Sequence, residues 1–452
     1  MSDQDTTPLP VLEADDKKTT VGNYFVSNYP PYSTWSTDHR DDALSAYDTS
    51  AAPGTPLGLY VHIPFCRKRC HFCYFRVYTD KTRDEVSDYL DAVLEETRRY
   101  AETARIQGRK ITFVYFGGGT PSYLSEKQLT RLFDGLKEHL DWSEVQEVAF
   151  ECEPGTLSTR KLECLKKLGV TRLSLGIENF NDDILERNNR AHRSQQVGNA
   201  YDWAIDAGFE QVNIDLIAGM LGETDDNWRA NIDTLVQMQP HAVTIYQMEV
   251  PYNTTIYKDM KESGKDEAPV ADWGTKRRWV TEAYAALEAN GYDVTSAYTA
   301  VKDAAKIKFV YRDALWSGAD MLAVGVSSFG YLTMPGGGGM HVQNQHDIVP
   351  YVSAVTGGDQ PLYRALPIDR EEAMIREWVL QLKLGRISRQ PFIEKFGVDP
   401  FEKWADILRG YVDDRLITIE GDELIVPRQT LLRIDRLLYA FFKEEHRGVR
   451  YA

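Results

Sequence analysis

Between residues 57 and 247 the chain alternates six short apolar runs with amphipathic stretches, and this alternation limits the folds open to it. The apolar runs cover 57–63, 111–116, 147–151, 172–176, 211–217 and 242–247. The stretches between them, 84–107, 125–140, 158–168, 194–207 and 225–238, repeat their apolar residues with the 3.6-residue period of a helix. Strands alternating with helices predict a parallel sheet with right-handed crossovers, either doubly wound or curled into a full or partial barrel. In such sheets the reactive groups collect where the loops leave the C-terminal strand ends.

Each run is followed by an unusual motif. Cys66, Cys70 and Cys73 follow the first, Gly117-Gly118-Gly119-Thr120-Pro121 the second, and Glu151-Cys152-Glu153-Pro154-Gly155 the third. Gly176-Ile177-Glu178 follows the fourth, Asp215 ends the fifth, and Tyr246-Gln247-Met248-Glu249 ends the sixth. Three thiolates spaced C-x3-C-x2-C are one ligand short of closing a tetrahedral zinc or four-iron site. Two readings follow: a zinc loop completed by His71 or a distant residue, or an iron-sulfur cluster with one iron left open. A glycine-rich turn lets a ligand approach the backbone closely, although alone it reads only as a tight turn. Glu151, Glu178 and Asp215 offer acceptors for hydroxyl and ammonium groups, and Arg190 offers a bidentate partner for a carboxylate. Cys152 and Cys164 are given no ligand role.

Composition narrows the function classes. The formal charge of -16 argues against a general nucleic-acid binder. Five cysteines in 452 residues do not make a disulfide framework, which fits a reducing cytoplasm. No apolar run approaches the roughly 20 residues needed to span a membrane. The segment 23–35 is rich in aromatics and broken by Pro30-Pro31, so it reads as an extended strap, either simply packed on the surface or covering a pocket. Four consecutive glycines at 336–339 form a hairpin connection or a lid. Near the end, helices at 369–384, 388–396 and 400–414 lead into a hairpin at 416–426 turning on Glu420-Gly421-Asp422. Its acidity favours packing or covering of a substrate over DNA binding.

Taken together, these motifs resemble the radical S-adenosylmethionine enzymes, more narrowly the oxygen-independent coproporphyrinogen III oxidase family. The carrying stretches are Tyr60 to Cys73, Phe116 to Leu124, Glu151 with Pro154-Gly155-Thr156-Leu157, Leu173 to Asn181, Asn213 to Gly219, and Leu322 to Gly330. The resemblance implies an α/β fold: a partial (β/α)6 radical-SAM barrel with a C-terminal, mostly helical, winged-helix-like domain. It divides the chain into a disordered 1–20, an aromatic arm 21–56, the barrel 57–290, an extension 291–367 and the C-terminal domain 368–452. It also implies a 4Fe-4S cluster on Cys66, Cys70 and Cys73 and S-adenosylmethionine cleaved to a 5′-deoxyadenosyl radical. Tyr60 and His62 are expected at the reacting centre. Tyr60, Phe72, Gly117, Gly118, Thr120, Glu151, Glu178, Arg190 and Asp215 are expected around the cofactor. The implied substrate is a tetrapyrrole whose propionates are oxidatively decarboxylated, with flavodoxin or ferredoxin as electron donor. A related methyltransferase or cyclopropane-forming enzyme would bind a second S-adenosylmethionine, and a heme chaperone would bind heme. Three departures bear on the choice. Glu178 stands where the family usually has Gln, Phe75 where the oxidases tend to have a further Cys, and Tyr311-Arg312 where the chaperones carry a His-Asn pair.

Overall fold

The computed structural model describes residues 17–19, 21–22, 24–265 and 267–449. Most of the expected disordered segment 1–20 lies outside these residues. Thr19, inside it, is buried and donates to the Ala271 carbonyl at 2.7 Å.

Six parallel strands form the centre: β1 (Leu57–Ile63), β2 (Ile111–Gly118), β3 (Glu147–Cys152), β4 (Arg172–Glu178), β5 (Gln211–Ala218) and β6 (Ala242–Gln247). They lie side by side in chain order, as right-handed crossovers of this kind require. The sheet does not close on itself. Beyond β6 it continues through β7 (Asp293–Val294) and β8 (Thr299–Val301), with β8 next to β6. Beyond β1 come β9 (Asp320–Val324), β10 (Phe329–Thr333), β11 (Gly339–Asn344) and β12 (Leu362–Ile368). The architecture is therefore a partial (β/α)6 barrel with mostly antiparallel extensions at both edges, and the glycine run joins the β10–β11 hairpin.

Side-chain alternation explains why this sheet encloses a cavity. Outward positions such as Leu59, Val61, Phe116, Phe150, Leu173, Leu175, Ile214 and Ile245 are buried beneath the helices in one apolar cluster. Inward positions, Tyr60, His62, Tyr115, Glu151, Ser174, Asn213, Asp215 and Thr244, are polar or aromatic and line the interior. Parallel strands packed on both faces usually read as continuous apolar runs. Here every second residue is hydrophilic because the inner face meets open space.

The helices start where their capping residues stand. Thr82 and Glu85 form a reciprocal capping box for Arg83–Ala101, as Ser125 and Gln128 do for Glu126–His139. The expected helix over 84–107 stops at Ala101. The following turns carry Arg105 into the core, where it pairs with Asp320 at 2.8 Å, and Arg109 reaches the same carboxylate at 2.6 Å. The strand β9 ends at Val324, because Gly325 adopts a φ of +99° and lies against Tyr89 and the His62 carbonyl. A helix at Arg40–Tyr47, inside the expected arm, is a further addition.

Helix Arg370–Gln381 leads into β13 (Arg386–Ser388), helices Gln390–Phe396 and Ala405–Asp413 follow, and β14 (Thr418–Glu420) and β15 (Glu423–Ile425) then join β13 in a small sheet. Trp378, Phe392, Trp404 and Phe441 centre a second apolar cluster, which also takes in Val26 and Tyr29 of the arm. No helix of the described residues is long and apolar enough to cross a membrane.

The closest packing between strands occurs where Gly58 faces Phe113. A Cβ at Gly58 would stand 1.9 Å from that ring. Gly58→Ala is expected to destabilise the fold by about 1–3 kcal/mol, the usual cost of overpacking. Urea unfolding measures it, and a second change, Phe113→Leu, should recover part of the loss.

Candidate cofactor site at the strand ends

The cysteine loop leaves the end of β1 and is held on two sides. Against β2, the amides of Gly119 and Thr120 donate to the carbonyls of Ile63 and Phe65, both at 2.8 Å. Against the segment after β4, the His71 amide donates to Asn188 O at 3.1 Å and Asn189 Nδ2 donates to Arg69 O at 2.8 Å. His71 Nδ1 lies 3.0 Å from the Arg187 carbonyl, so its ring is engaged away from the sulfurs. Cys66, Cys70 and Cys73 are all free thiols lining one cavity.

Two of the sulfurs have hydrogen-bond donors. Thr120 Oγ1 lies 3.3 Å from Cys66 Sγ, and Arg190 Nη1 lies 3.2 Å from Cys70 Sγ. Burial pushes the Cys66 thiol up to about 12 and the Cys73 thiol to about 11. Soft ligands converging in a sheltered pocket with donors to their sulfurs fit a cluster bound by three cysteines.

The glycines after β2 are set by the protein's own packing. A Cβ on Gly118 would lie 2.5 Å from the His62 ring, one on Gly119 3.0 Å from Cys66 Sγ, and one on Gly117 2.7 Å from the Tyr115 ring. Gly118 and Gly119 line the cavity, and Gly117 sits behind the Tyr115 and Glu151 side chains.

The acidic groups stand on the rim and inner wall. Glu151 accepts from Tyr115 Oη at 2.7 Å and from the Gly118 amide at 3.1 Å, and burial raises its carboxyl to about 7. Glu178, held at a φ of +67°, lies 3.6 Å from Arg190, and burial likewise raises it to about 7. Asp215 accepts from Ser174 Oγ at 2.6 Å and Asn213 Nδ2 at 2.9 Å, and burial holds it above the usual carboxylate range. Arg190 also donates to the Gly176 carbonyl, while its Nε is buried without a partner. Tyr60 Oη lies 3.2 Å from His62 Nδ1; burial lowers His62 to about 4, so the ring is neutral, and its Nε2 has no partner. Phe72 packs on Ile184, Ile217, Met220 and Met248 at the cavity edge.

All the expected residues except Gly117 thus meet in one cavity of about 710 Å³. It also contains groups that sequence reading passed over. Glu153 bonds His192 Nδ1 at 2.9 Å and keeps Oε2 buried without a partner. The arm supplies Tyr24, Phe25, Tyr32 and Trp35 to the cavity wall, which favours the cover reading of that segment. Its course is pinned by Glu249, which accepts from the amides of Tyr24 and Phe25, and by Asp435, which accepts from the Val26 amide at 2.8 Å. The signal for this was present in the aromatic spacing, but its acceptors lie more than 200 residues away.

Comparison with known proteins agrees with the fold and motifs. Residues 60–235 match the radical SAM superfamily. The heme chaperone HemW of Bacillus subtilis is 28% identical over 391 residues, spanning 85% of this chain and 99% of that protein. The oxygen-independent coproporphyrinogen III oxidase of Escherichia coli K12 is 24% identical over 435 residues, spanning 93% of each. The solved structure of coproporphyrinogen III oxidase (HemN) from Escherichia coli superposes with a TM-score of 0.78 at 23% identity, covering 92% of this chain and 96% of that one. The region 60–235 belongs to the radical SAM superfamily, and the chain as a whole is similar to the oxygen-independent coproporphyrinogen III oxidases and the HemW heme chaperones.

Two outcomes are expected of this site. Anaerobic reconstitution with iron and sulfide should load about four irons per chain, and replacing Cys66, Cys70 or Cys73 with Ser should lower iron content and abolish the cluster's visible absorption. S-adenosylmethionine affinity should rise with pH through about 7 as Glu178 ionises, because a carboxylate attracts the cationic cofactor and a carboxylic acid does not. Titration calorimetry on Glu178→Gln should show that dependence weakened, with Glu151 supplying the remainder.

Proposed function

We propose that the protein is a radical S-adenosylmethionine oxidoreductase acting on an acidic tetrapyrrole, most simply by oxidative decarboxylation of propionate side chains. The observation that carries this reading is a continuous cavity, which runs from the three cysteines down the inside of the barrel between aromatic walls. Its volume of about 710 Å³ lies in the upper part of the range for small-molecule sites, about 300–1,000 Å³. Relatives named as oxygen-independent coproporphyrinogen III oxidases align over nearly the whole chain.

A 4Fe-4S cluster and S-adenosylmethionine, when bound, supply one-electron reductive cleavage and a carbon radical able to take a hydrogen atom. The remaining work falls to this chain. Cys66, Cys70 and Cys73 would hold the cluster, and Thr120 and Arg190 would donate to its sulfur ligands, which bears on the potential. Arg190 would pair with the cofactor carboxylate, Glu151 and Glu178 would accept from its ammonium and hydroxyl groups, and Asp215 is the deeper acceptor. Tyr60 would orient the neutral His62 through Nδ1, leaving Nε2 free to donate into the cavity. Tyr24, Phe25, Tyr32 and Trp35 would keep water from the reacting centre.

Anaerobic incubation with coproporphyrinogen III, a low-potential reductant such as reduced flavodoxin, and S-adenosylmethionine tests the proposal. Carbon dioxide, 5′-deoxyadenosine and protoporphyrinogen are the expected products. S-adenosylhomocysteine among them would instead indicate a methyl-transferring or cyclopropane-forming reaction with a second cofactor molecule. Stoichiometric heme binding without any cofactor cleavage would indicate a chaperone, the role carried by the name of the Bacillus subtilis relative. Tyr311 and Arg312 in place of the His-Asn pair weigh against that outcome.

A further inference from the structure

At the opposite end of the barrel from the cysteines, the cavity floor is built around Phe309. The guanidinium carbons of Arg172 and Arg312 lie 4.4 and 5.7 Å from its ring centroid. We propose that this floor is an anion subsite, where Arg172 and Arg312 receive an acidic group of the substrate.

Arg172 is the first residue of β4, and Glu178 on the cofactor rim is the last. At about 3.3 Å per residue, the two ends of that strand are about 20 Å apart. Arg172 is only 2% exposed, and its one hydrogen bond is to a neutral group, Gln211 Oε1 at 2.6 Å. No carboxylate among the described residues lies within ion-pair distance of it. Nearby acids are committed elsewhere. Glu147 accepts from the amides of Val310 and Tyr311 at the start of the helix Val310–Trp316, and Asp215 is held by Ser174 and Asn213. Arg312 spends Nε and Nη2 on Asp313, at 2.8 and 2.7 Å, which leaves Nη1 buried without a partner.

Glu147 and Asp215 offset part of the Arg172 charge from a distance, but neither forms an ion pair with it, and a buried guanidinium with no anion hydrogen-bonded to it is suited to one supplied from outside. The same residues divide the main cavity from a side cavity of about 140 Å³, to which Arg172, Arg312, Phe309 and Thr299 are common. Lys308 also lines the side cavity, so three cations face a single acid, Asp313. The space suits one carboxylate on a short aliphatic arm, and a guanidinium binds such a group through two parallel hydrogen bonds. The substrate class is therefore a molecule with a carboxylate remote from the carbon that reacts.

The proposal rests on the reading that the large cavity holds the substrate, so its test uses a probe that needs no turnover. Thermal unfolding of the full chain is followed with propionate and, at equal ionic strength, with propionamide. Propionate should raise the Tm of the wild type and propionamide should not. Arg172→Gln should remove that shift while leaving the ligand-free Tm near the wild-type value, because no ion pair at hydrogen-bond distance is lost and Glu147 keeps its two backbone donors. Arg312→Gln should reduce the shift, and Arg172→Lys should keep part of it. The subsite is overturned if the wild type shows no propionate-specific shift, if Arg172→Gln retains it, or if that variant unfolds well below the wild type, as a purely structural arginine would dictate. In turnover with coproporphyrinogen III, Arg172→Gln should raise KM about tenfold to a hundredfold with little change in kcat, the range for losing a hydrogen bond to a charged group. A propionate response in a protein that never consumes coproporphyrinogen would refute the tetrapyrrole reading and leave the subsite standing.

Discussion

Two backbone hydrogen bonds, from Gly119 to Ile63 and from Thr120 to Phe65, carry the arrangement on which the site depends. They prolong the β1–β2 pairing beyond the strands and lash the cysteine loop to the glycine turn. The turn must be glycine because Cys66 Sγ and the His62 ring already occupy the positions where its Cβ atoms would stand. Thr120 then reaches Cys66 with its hydroxyl, and the sulfur faces the cavity instead of the helices. A loop of three cysteines without this brace would have no defined direction for its ligands.

The inside of the barrel is a second constraint. Helices cover the outer face and satisfy the apolar half of each strand, so the inner half is free to carry charge. Charge in a cavity of low dielectric is expensive, and the structure manages it in two ways. Glu151 and Glu178 are shifted toward neutrality by burial, and Asp215 is held in a hydrogen-bond network with Ser174 and Asn213. Arg190 is shared among a thiol, a carbonyl and Glu178. Arg172 follows neither pattern, which is why the floor stands out from the rest of the wall.

Much of this was legible beforehand. The short apolar runs and the 3.6-residue pattern of the stretches between them located β1 to β6, with β1 and β6 correct at both ends, because both signals reflect which residues are buried. The cysteine spacing and the motifs after each strand located the rim, because the loops of a parallel sheet all emerge on one side. What could not be read was set by distant partners. The helix ending at Ala101 owes its end to Asp320, the arm owes its path to Glu249 and Asp435, and the reason for three glycines lies in the residues pressed against them. None of these contacts leaves a local signature.

The sequence by itself determined the α/β class of fold and the triad of thiols, because periodicity and cysteine spacing are local signals, and its motifs carried the resemblance to a family. Tertiary structure alone decided that the thiols, the acids and Arg190 share one cavity, that the aromatic arm forms part of its wall, and that Arg172 meets Phe309 and Arg312 at its floor. The reason is physical. Which side chains share a desolvated space depends on how strands far apart in the chain register against one another, and no single stretch of sequence records that.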